Sequence, residues 1–443
     1  MTAAGALAPA ARYALTRALR HGARQAAVAV DETHSVDFEW RDGRLEKVQQ
    51  AQSSTISMRL FVAGRYSTHQ SSDLRESALD PMIAQAVAMT RHLSEDAFRS
   101  LPDPELCMPP LRLDLEIADP AWESARRADK IATADELEQA SRGVAGTAEI
   151  ATVTTGWSDS FRRRILVDSN GLEAYAEGTS FWMGSTVTVK GEGAKRPRGW
   201  HWVGARHRAD LPRVAAVGEE ATRRAYDRVN TRKVRTGEYT VVVENRTAGR
   251  LVGSLLAALN GSAVQQDASF LCGKLGAPVA SPLLTIHEEP MVKRGLGSRL
   301  FDAEGMAARR FPLVEAGVLR SYYLDTYYAG KLRMPPTTGG SANLGFALGE
   351  RSADEILGEV SKGILVTGFL GGNSNRTTGD FSFGIMGFYI ENGQRAFPIA
   401  EVNLAGNHLE FWSSLREVGN DPYPYSSRYC PTMVFEGVQI TGL

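Results

Sequence analysis

Eight histidines and three cysteines are the side chains in this 443-residue sequence best suited to hold a transition metal or attack a carbonyl. A hydrolytic metal site needs two or three such ligands on a rigid frame. No histidine pair has the His-Glu-x-x-His spacing. His287-Glu288-Glu289-Pro290 begins like that motif, but Met291 stands where the second histidine would be, and Pro290 breaks the helix the motif needs. His201 and His207, six apart among arginines, read as a solvated loop. Cys272, in Phe270-Leu271-Cys272-Gly273-Lys274, and Cys430, between Tyr429 and Pro431, have no local histidine to generate a thiolate, so both read as structural thiols. There is no Gly-x-Ser-x-Gly elbow and no Walker-A sequence, and the glycine-rich 368–372 stretch lacks the lysine of a phosphate loop. One polar loop, 371–382, does stand out (Gly-Gly-Asn-Ser-Asn-Arg-Thr-Thr-Gly-Asp-Phe-Ser). It could bind a peptide main chain or a partner protein, or it could close on itself as a capped turn.

The elements that would position these residues fall into three units, 1–112, 113–233 and 234–443. In the first, Ala11, Ala14, Leu15, Ala18 and Leu19 follow helical spacing and Gly22 ends the run. This argues for a structural helix over an arginine-rich transit peptide, which the acid-free N-terminus otherwise resembles. A buried strand at 26–30, alternating strands at 35–40 and 54–62, and turns at Asp42-Gly43 and Gly64-Arg65 make an antiparallel meander. A helix over 74–93 uses Leu79, Ile83, Ala86, Val87 and Thr90, and the proline-rich 101–110 stretch reads as an extended linker.

The second unit should open with a helix over 122–142, broken near 131–134 with Thr133 as a new N-cap. Strands follow at 149–155 and 163–167, an Asn170-Gly171 hairpin, further strands at 172–176 and 180–189, and a helix over 210–229. Helix, meander, helix in both units suggests an internal duplication. The third unit begins with a β-branched strand at 239–243 and a helix over 247–260 carrying Leu251, Leu255, Ala258 and Leu259 on one face. It then turns to strands and loops, with turn signals at Ala316-Gly317, Gly339-Gly340, Gly371-Gly372 and Asn392-Gly393. The expected class is α+β: two N-terminal units of antiparallel strands packed with helices, then a larger β-rich C-terminal domain with glycine-rich loops.

Composition narrows the function. The chain has 50 Lys+Arg against 51 Asp+Glu, a net charge of −1, and is 43% hydrophobic. Disorder is excluded as a whole-chain description, and a binder dominated by nucleic-acid phosphates is disfavoured. Three widely spaced cysteines with no Cys-x-x-Cys pair fit a reduced, cytoplasmic protein. No stretch approaches the ~18 apolar residues of a bilayer span.

Several segments, in order along the whole chain, resemble the TldD/TldE (PmbA) proteins, and specifically the TldE/PmbA branch. They are residues 38–45, where a strand and turn end in Asp42-Gly43-Arg44; 269–276; Leu296-Gly297-Ser298-Arg299-Leu300-Phe301-Asp302-Ala303-Glu304-Gly305; the 371–383 loop; and Ile390-Glu391-Asn392-Gly393-Gln394 with Gly406-Asn407 beyond. The peptidase subunit of that family carries His-Glu-x-x-x-His on a helix after a strand like 239–243. Those positions fall here on Gly253, Ser254 and Ala258, none of which can ligate zinc. Cys272-Gly273-Lys274 is similar to a ligand-bearing segment of that subunit but lies too early in the chain to be its counterpart.

The resemblance therefore implies a zinc-less partner subunit of a heterodimeric metallopeptidase, with zinc in a TldD-like partner and a peptide as substrate. Family members are associated with maturing peptide antibiotics and degrading small unfolded proteins. On this reading Asn373, Asn375, Arg376 and Asp380 lie on an inner or interface surface, and a homodimer could form in isolation. The alternatives are a stand-alone peptide- or protein-binding scaffold of the same fold, or an autonomous hydrolase using Cys430 or an unexpected His/Glu set. The family's other name, modulator of gyrase, does not imply DNA contact for a chain of this charge.

Overall fold

The computed structural model describes residues 4–107 and 113–443, so the end of the 101–110 linker and the boundary at 112 lie outside the described residues. The first unit runs α1 (Ala4–Arg20), β1 (Gln25–Arg41), β2 (Arg44–Val62), β3 (Arg65–Ser71), α2 (Glu76–Thr90). The second repeats that order with α3 (Arg127–Gly143), β4 (Ile150–Asp168), β5 (Glu173–Val189), β6 (Arg198–Ala205), α4 (Val214–Tyr226). Their strands make one six-stranded antiparallel sheet in the order β3-β2-β1-β4-β5-β6, so the two meanders meet back to back along β1 and β4.

One face of that sheet is covered by helices. Ala11, Ala14 and Ala18 of α1 and Leu79, Ile83 and Val87 of α2 pack on Val28, Val30, Ile56, Met58 and Leu60. Further along the same face, Leu137 of α3 and Val217 of α4 pack on Phe38, Trp157, Phe181 and Val203. Small residues let the layers close up: a Cβ on Gly199 of β6 would lie 2.1 Å from the backbone nitrogen of Ala225 in α4. The opposite face, at Ala27, Ala29, Leu166 and Ala174, receives Phe301 from the third unit. Asp302 fixes the turn that presents Phe301: its Oδ1 accepts from the backbone of Glu304 (2.8 Å) and Met306 (3.0 Å).

The third unit comprises β7 (Gly237–Val243), α5 (Asn245–Ala258), α6 (Gly261–Gln265), β8 (Ile286–Glu288), β9 (Phe311–Glu315), β10 (Val318–Leu319), α7 (Thr326–Leu332) and β11 (Leu344–Phe346). It continues with α8 (Ala353–Gly358), β12 (Lys362–Ser374), β13 (Asp380–Glu391), β14 (Gln394–Asn407), α9 (His408–Ser413), β15 (Leu415–Val418) and β16 (Met433–Thr441). Strands β14-β13-β12-β7-β16-β15 form one sheet, and a pairing of β14 with β16 closes five of them into a barrel. A smaller sheet, β10-β9-β8-β11, flanks it. The mixed α+β class with a β-rich C-terminal unit is what the sequence predicts.

Several local expectations need correcting. Strands predicted as pairs are single long ones: 26–30 and 35–40 are parts of β1, 149–155 and 163–167 of β4, and 172–176 and 180–189 of β5. Residue 54 is not the start of its strand, because β2 begins at Arg44; this polar stretch is held by backbone pairing to β1. The helix break expected at 131–134 is absent. Thr133 sits inside α3 and bonds back to the carbonyl of Asp129 (2.9 Å), and the interruption comes earlier, at Ala125 and Arg126. Gly371-Gly372 lies within β12 rather than at a turn.

Candidate functional site

Strand β7 is β-branched and fully buried at its end, and it delivers the chain into α5, whose Ala248, Leu251, Val252, Leu255 and Ala258 face the core. Of the three residues that the resemblance sets against a zinc motif, Ala258 is buried among those apolar residues. Gly253 faces Arg428: a Cβ there would lie 2.8 Å from the Nη1 of Arg428, which itself donates to the carbonyl of Gly249 (2.6 Å). A glycine, a serine and an alanine beside a fixed guanidinium offer zinc no imidazole, thiolate or carboxylate. Among the described residues, no group of three His, Cys, Asp or Glu side chains is placed to hold a metal.

Beside α5 lies a cavity of about 700 Å3, walled by β6, the end of α4, α5 and β12. It adjoins a second cavity of about 450 Å3 through shared walls at Trp200, Arg224, Arg228, Thr367 and Leu370. Five arginines line the larger space and no carboxylate does: Arg224, Arg228, Arg246, Arg250 and Arg428. Arg224 is neutralised from behind by Glu244 (2.6 Å) and Glu220 (2.7 Å). The other four form no ion pair among the described residues. Arg228 lies 4.1 Å over the Trp200 ring and donates to the carbonyl of Arg198. Arg246 donates one Nη to the carbonyl of Trp200 (2.7 Å), while its Nη1 is buried without a partner. Burial, and then the neighbouring arginines, pull the Arg228 guanidinium down to about 10 and lower that of Arg246 as well.

The β12 wall has an open edge. Strand β7 pairs with β12 only over Gly363–Val366, and Thr367 and Leu370 are left unpaired by two bulges in the β12–β13 register. Bulges turn side chains away from the ladder, and these two residues line both cavities, Leu370 being 58% exposed.

The four residues singled out in the polar loop lie at or beside the tip of the β12–β13 hairpin, all exposed and none lining the cavity. Asn375 and Asp380 spend their side chains within the turn. Asn375 Oδ1 accepts from the backbone of Thr377 (2.9 Å), and Asp380 accepts from Thr378 Oγ1 (2.7 Å) and Asn407 Nδ2 (3.0 Å). Those bonds hold the Asp380 carboxyl below its usual range. Arg376 contributes its carbonyl to the nitrogen of Phe270 (2.8 Å). Asn373 pairs with Ser382 in the ladder. Asn407 ties this loop to α9, capping the nitrogen of Leu409 (3.0 Å) while donating to Thr378 O (3.0 Å). Asn407→Ala is expected to cost about 1–2 kcal/mol, typical of a lost N-cap, and to speed amide exchange across 375–380 by mass spectrometry.

The histidines and cysteines occupy firmer settings than the sequence suggests. His201 lies on β6 and His207 just after it, bonded to the Glu116 carbonyl (2.7 Å), so the solvated loop is corrected to a strand and its buried end. His287 is on β8. Cys430 is 1% exposed, and burial pushes its thiol up to about 12, which removes it as a nucleophile. Cys272 is half-buried and also raised by burial. The arginine cavity was missed in the sequence, although Arg224 and Arg228, and Arg246 and Arg250, are each four apart and could share a helix face.

Three domain models of one family match in order: PmbA/TldA metallopeptidase domain 1 over residues 26–90, the central domain over 121–229 and the C-terminal domain over 236–442. The metalloprotease PmbA of Escherichia coli is 29% identical over 422 residues, covering 94% of this chain and 92% of that protein. A PmbA homologue of Haemophilus influenzae is 27% identical over 452 residues, covering 98% and 96%. Among solved structures, a candidate modulator of DNA gyrase from Bacteroides thetaiotaomicron superposes with a TM-score of 0.95 at 36% identity, covering 98% of this chain and 99% of that one. TldE from Thermococcus kodakarensis shares the fold, with a TM-score of 0.85 at 21% identity over 98% of this chain and all of that one. The chain belongs to the PmbA/TldD family of metallopeptidases.

Proposed function

We propose that this chain is the zinc-free, TldE/PmbA-like partner of a zinc-bearing, TldD-like subunit, and that it helps hold extended peptides for proteolysis or peptide maturation. The observation supporting this reading is on α5: Arg428 lies against Gly253, which with Ser254 and Ala258 makes up the set that the family resemblance aligns with the zinc motif. A guanidinium there opposes a divalent cation and leaves the hydrolytic water to the partner. The unpaired edge of β12 next to α5 suits strand addition, in which main-chain bonds bind a peptide without regard to most side chains. Three free cysteines fit a cytoplasmic setting, and no helix among the described residues is long and apolar enough to cross a membrane.

Co-expression with a His-Glu-x-x-x-His homologue from the same genome tests the reading. The expected results are co-purification, about one zinc per pair, and peptide hydrolysis by the pair alone, with less than a tenth of a zinc per chain when this protein is purified by itself. Zinc at one per chain in the isolated protein, or chelator-sensitive turnover without a partner, would overturn it. Failure to co-purify with that homologue, with no peptide hydrolysis on mixing, would favour the stand-alone scaffold.

A further inference from the structure

Four like charges held around one cavity without carboxylate partners repel one another, and one of them keeps a buried Nη atom unbonded. Folding tolerates such an arrangement at a cost, and an anionic ligand removes that cost. The chain as a whole has a net charge of −1, so the cluster does not follow from a generally basic surface. Guanidinium groups are fork-shaped donors that match carboxylates bidentately. The remaining wall of the same space is the open edge of β12, which supplies main-chain donors and acceptors.

We infer that this cavity is a subsite for an acidic segment of an extended peptide, its carboxylates paired with Arg228, Arg246 and Arg250 and its main chain added to the edge of β12 beyond Val366. The inference rests on the proposed peptide-handling role and names the substrate class that role would favour. Arg250 is the most accessible of the three. It is exposed, its side chain forms no hydrogen bond or ion pair among the described residues, and its one aromatic contact, 5.3 Å from the Phe383 ring, is weak at an exposed site, so it can meet a ligand without breaking a hydrogen bond. Arg246, in the first turn of α5, carries the unbonded Nη1 and is the deeper contact. A free edge strand distinguishes this space from a simple phosphate site, because a phosphate makes no use of strand-like main-chain groups.

Binding of a fluorescein-labelled decapeptide with four glutamates, by anisotropy, tests the inference on the full chain alone and on the co-purified pair. The same decapeptide with glutamines is the neutral control, and free and amidated C-termini separate side-chain from terminal carboxylates. The acidic peptide should bind at least ten-fold more tightly than the neutral one, with the advantage shrinking as salt rises. Arg250→Gln, which should fold normally, is expected to weaken the acidic peptide about five-fold and leave the neutral one unchanged. Arg250→Glu should abolish the preference.

Equal binding of both peptides by both preparations would overturn the inference. So would an Arg250→Glu variant that keeps the preference, or displacement by millimolar phosphate with no peptide preference at all. Failure of the pair to hydrolyse peptide while the acidic preference persists would count against the partner role and leave the subsite standing.

Discussion

Between pH 7 and pH 4.5 the protein is expected to lose about 5 kcal/mol of stability through two histidines. Burial holds His408 down to about 4, and burial with the nearby charges of Arg246 and Arg224 holds His201 down to about 4, against an ordinary 6.5. The unfolded chain therefore takes up these protons as the pH falls through 6.5, whereas the folded chain resists until about 4. Throughout that window the unfolded state binds more protons, so stability is fully present above about 6.5 and drains away toward 4. At 1.36 kcal/mol per pH unit, each histidine contributes about 2.5 kcal/mol of loss by pH 4.5.

His408 is stacked between Phe270 (5.5 Å) and Phe381 (4.6 Å), with Nε2 2.9 Å from Ser374 Oγ and Nδ1 buried without a partner. A charge there would open the base of the 375–380 loop first. Calorimetric unfolding from pH 7 to 4.5 should give a shallower dependence in His408→Phe and in His201→Phe, by about one proton each. Subtracting variants from the parent removes the carboxylates common to all. An unchanged slope in both variants would show that neither histidine is held neutral.

How much of this was legible in the sequence depended on whether a residue's role was local. Helix α2 was read to its buried residues, since Leu79, Ile83, Ala86, Val87 and Thr90 repeat at helical spacing. Turns at Asp42-Gly43, Ala316-Gly317 and Asn392-Gly393 were read from their Asp, Asn and Gly residues, which tolerate positive φ; all six residues adopt it, Ala316 being carried along by Gly317. The long strands were not, because Gly156, Ser158 and Ser160 in β4 and the Lys-Val-Gln-Gln run in β2 carry no alternating apolar signal. Their strand character comes from the ladders on either side: the hairpin partners β1 for β2 and β5 for β4, and, far away in the chain, β1 for β4.

The site divides the same way. Helix α5 itself was legible from Leu251, Leu255 and Ala258 at helical spacing, whereas setting Gly253, Ser254 and Ala258 against a zinc motif took the family resemblance. The arginine cavity was not legible, since Arg228, Arg246, Arg250 and Arg428 come from three separated stretches that only the packing of α4, α5 and the loop between β15 and β16 assembles. The polar loop drew attention by composition, and the structure shows the side chains of Asn375, Asp380 and Asn407 bonding within the turn and its flank, to Thr377, Thr378, Leu409 and, for Asp380 and Asn407, each other.

Lys130→Met is expected to destabilise the protein by about 3–5 kcal/mol, although the substitution adds apolar surface to a largely apolar layer. Lys130 Nζ on α3 lies 2.5 Å from Asp159 Oδ2 on β4, with the carboxylate fully buried and the lysine side chain 9% exposed. Trp157 Nε1 donates to the same oxygen (2.7 Å), and Oδ1 has no partner. Removing the ammonium leaves a dry carboxylate with one neutral donor, and an unpaired buried charge costs that much. Lys130→Met with Asp159→Asn keeps an acceptor for Trp157 and removes the charge, so it should recover at least half of the loss. A single variant costing under about 1 kcal/mol would mean that solvent reaches the pair.

The consequence extends beyond stability. Helix α3 supports α4, with Thr222 Oγ1 bonded to the carbonyl of Ser141 (2.8 Å) and a Cβ on Gly218 falling 2.5 Å from the carbonyl of Leu137. Helix α4 in turn carries Arg224 and leads directly into Arg228. A loosened α3 should therefore weaken binding of an acidic peptide in the single variant and restore it in the double one, although neither residue touches the cavity.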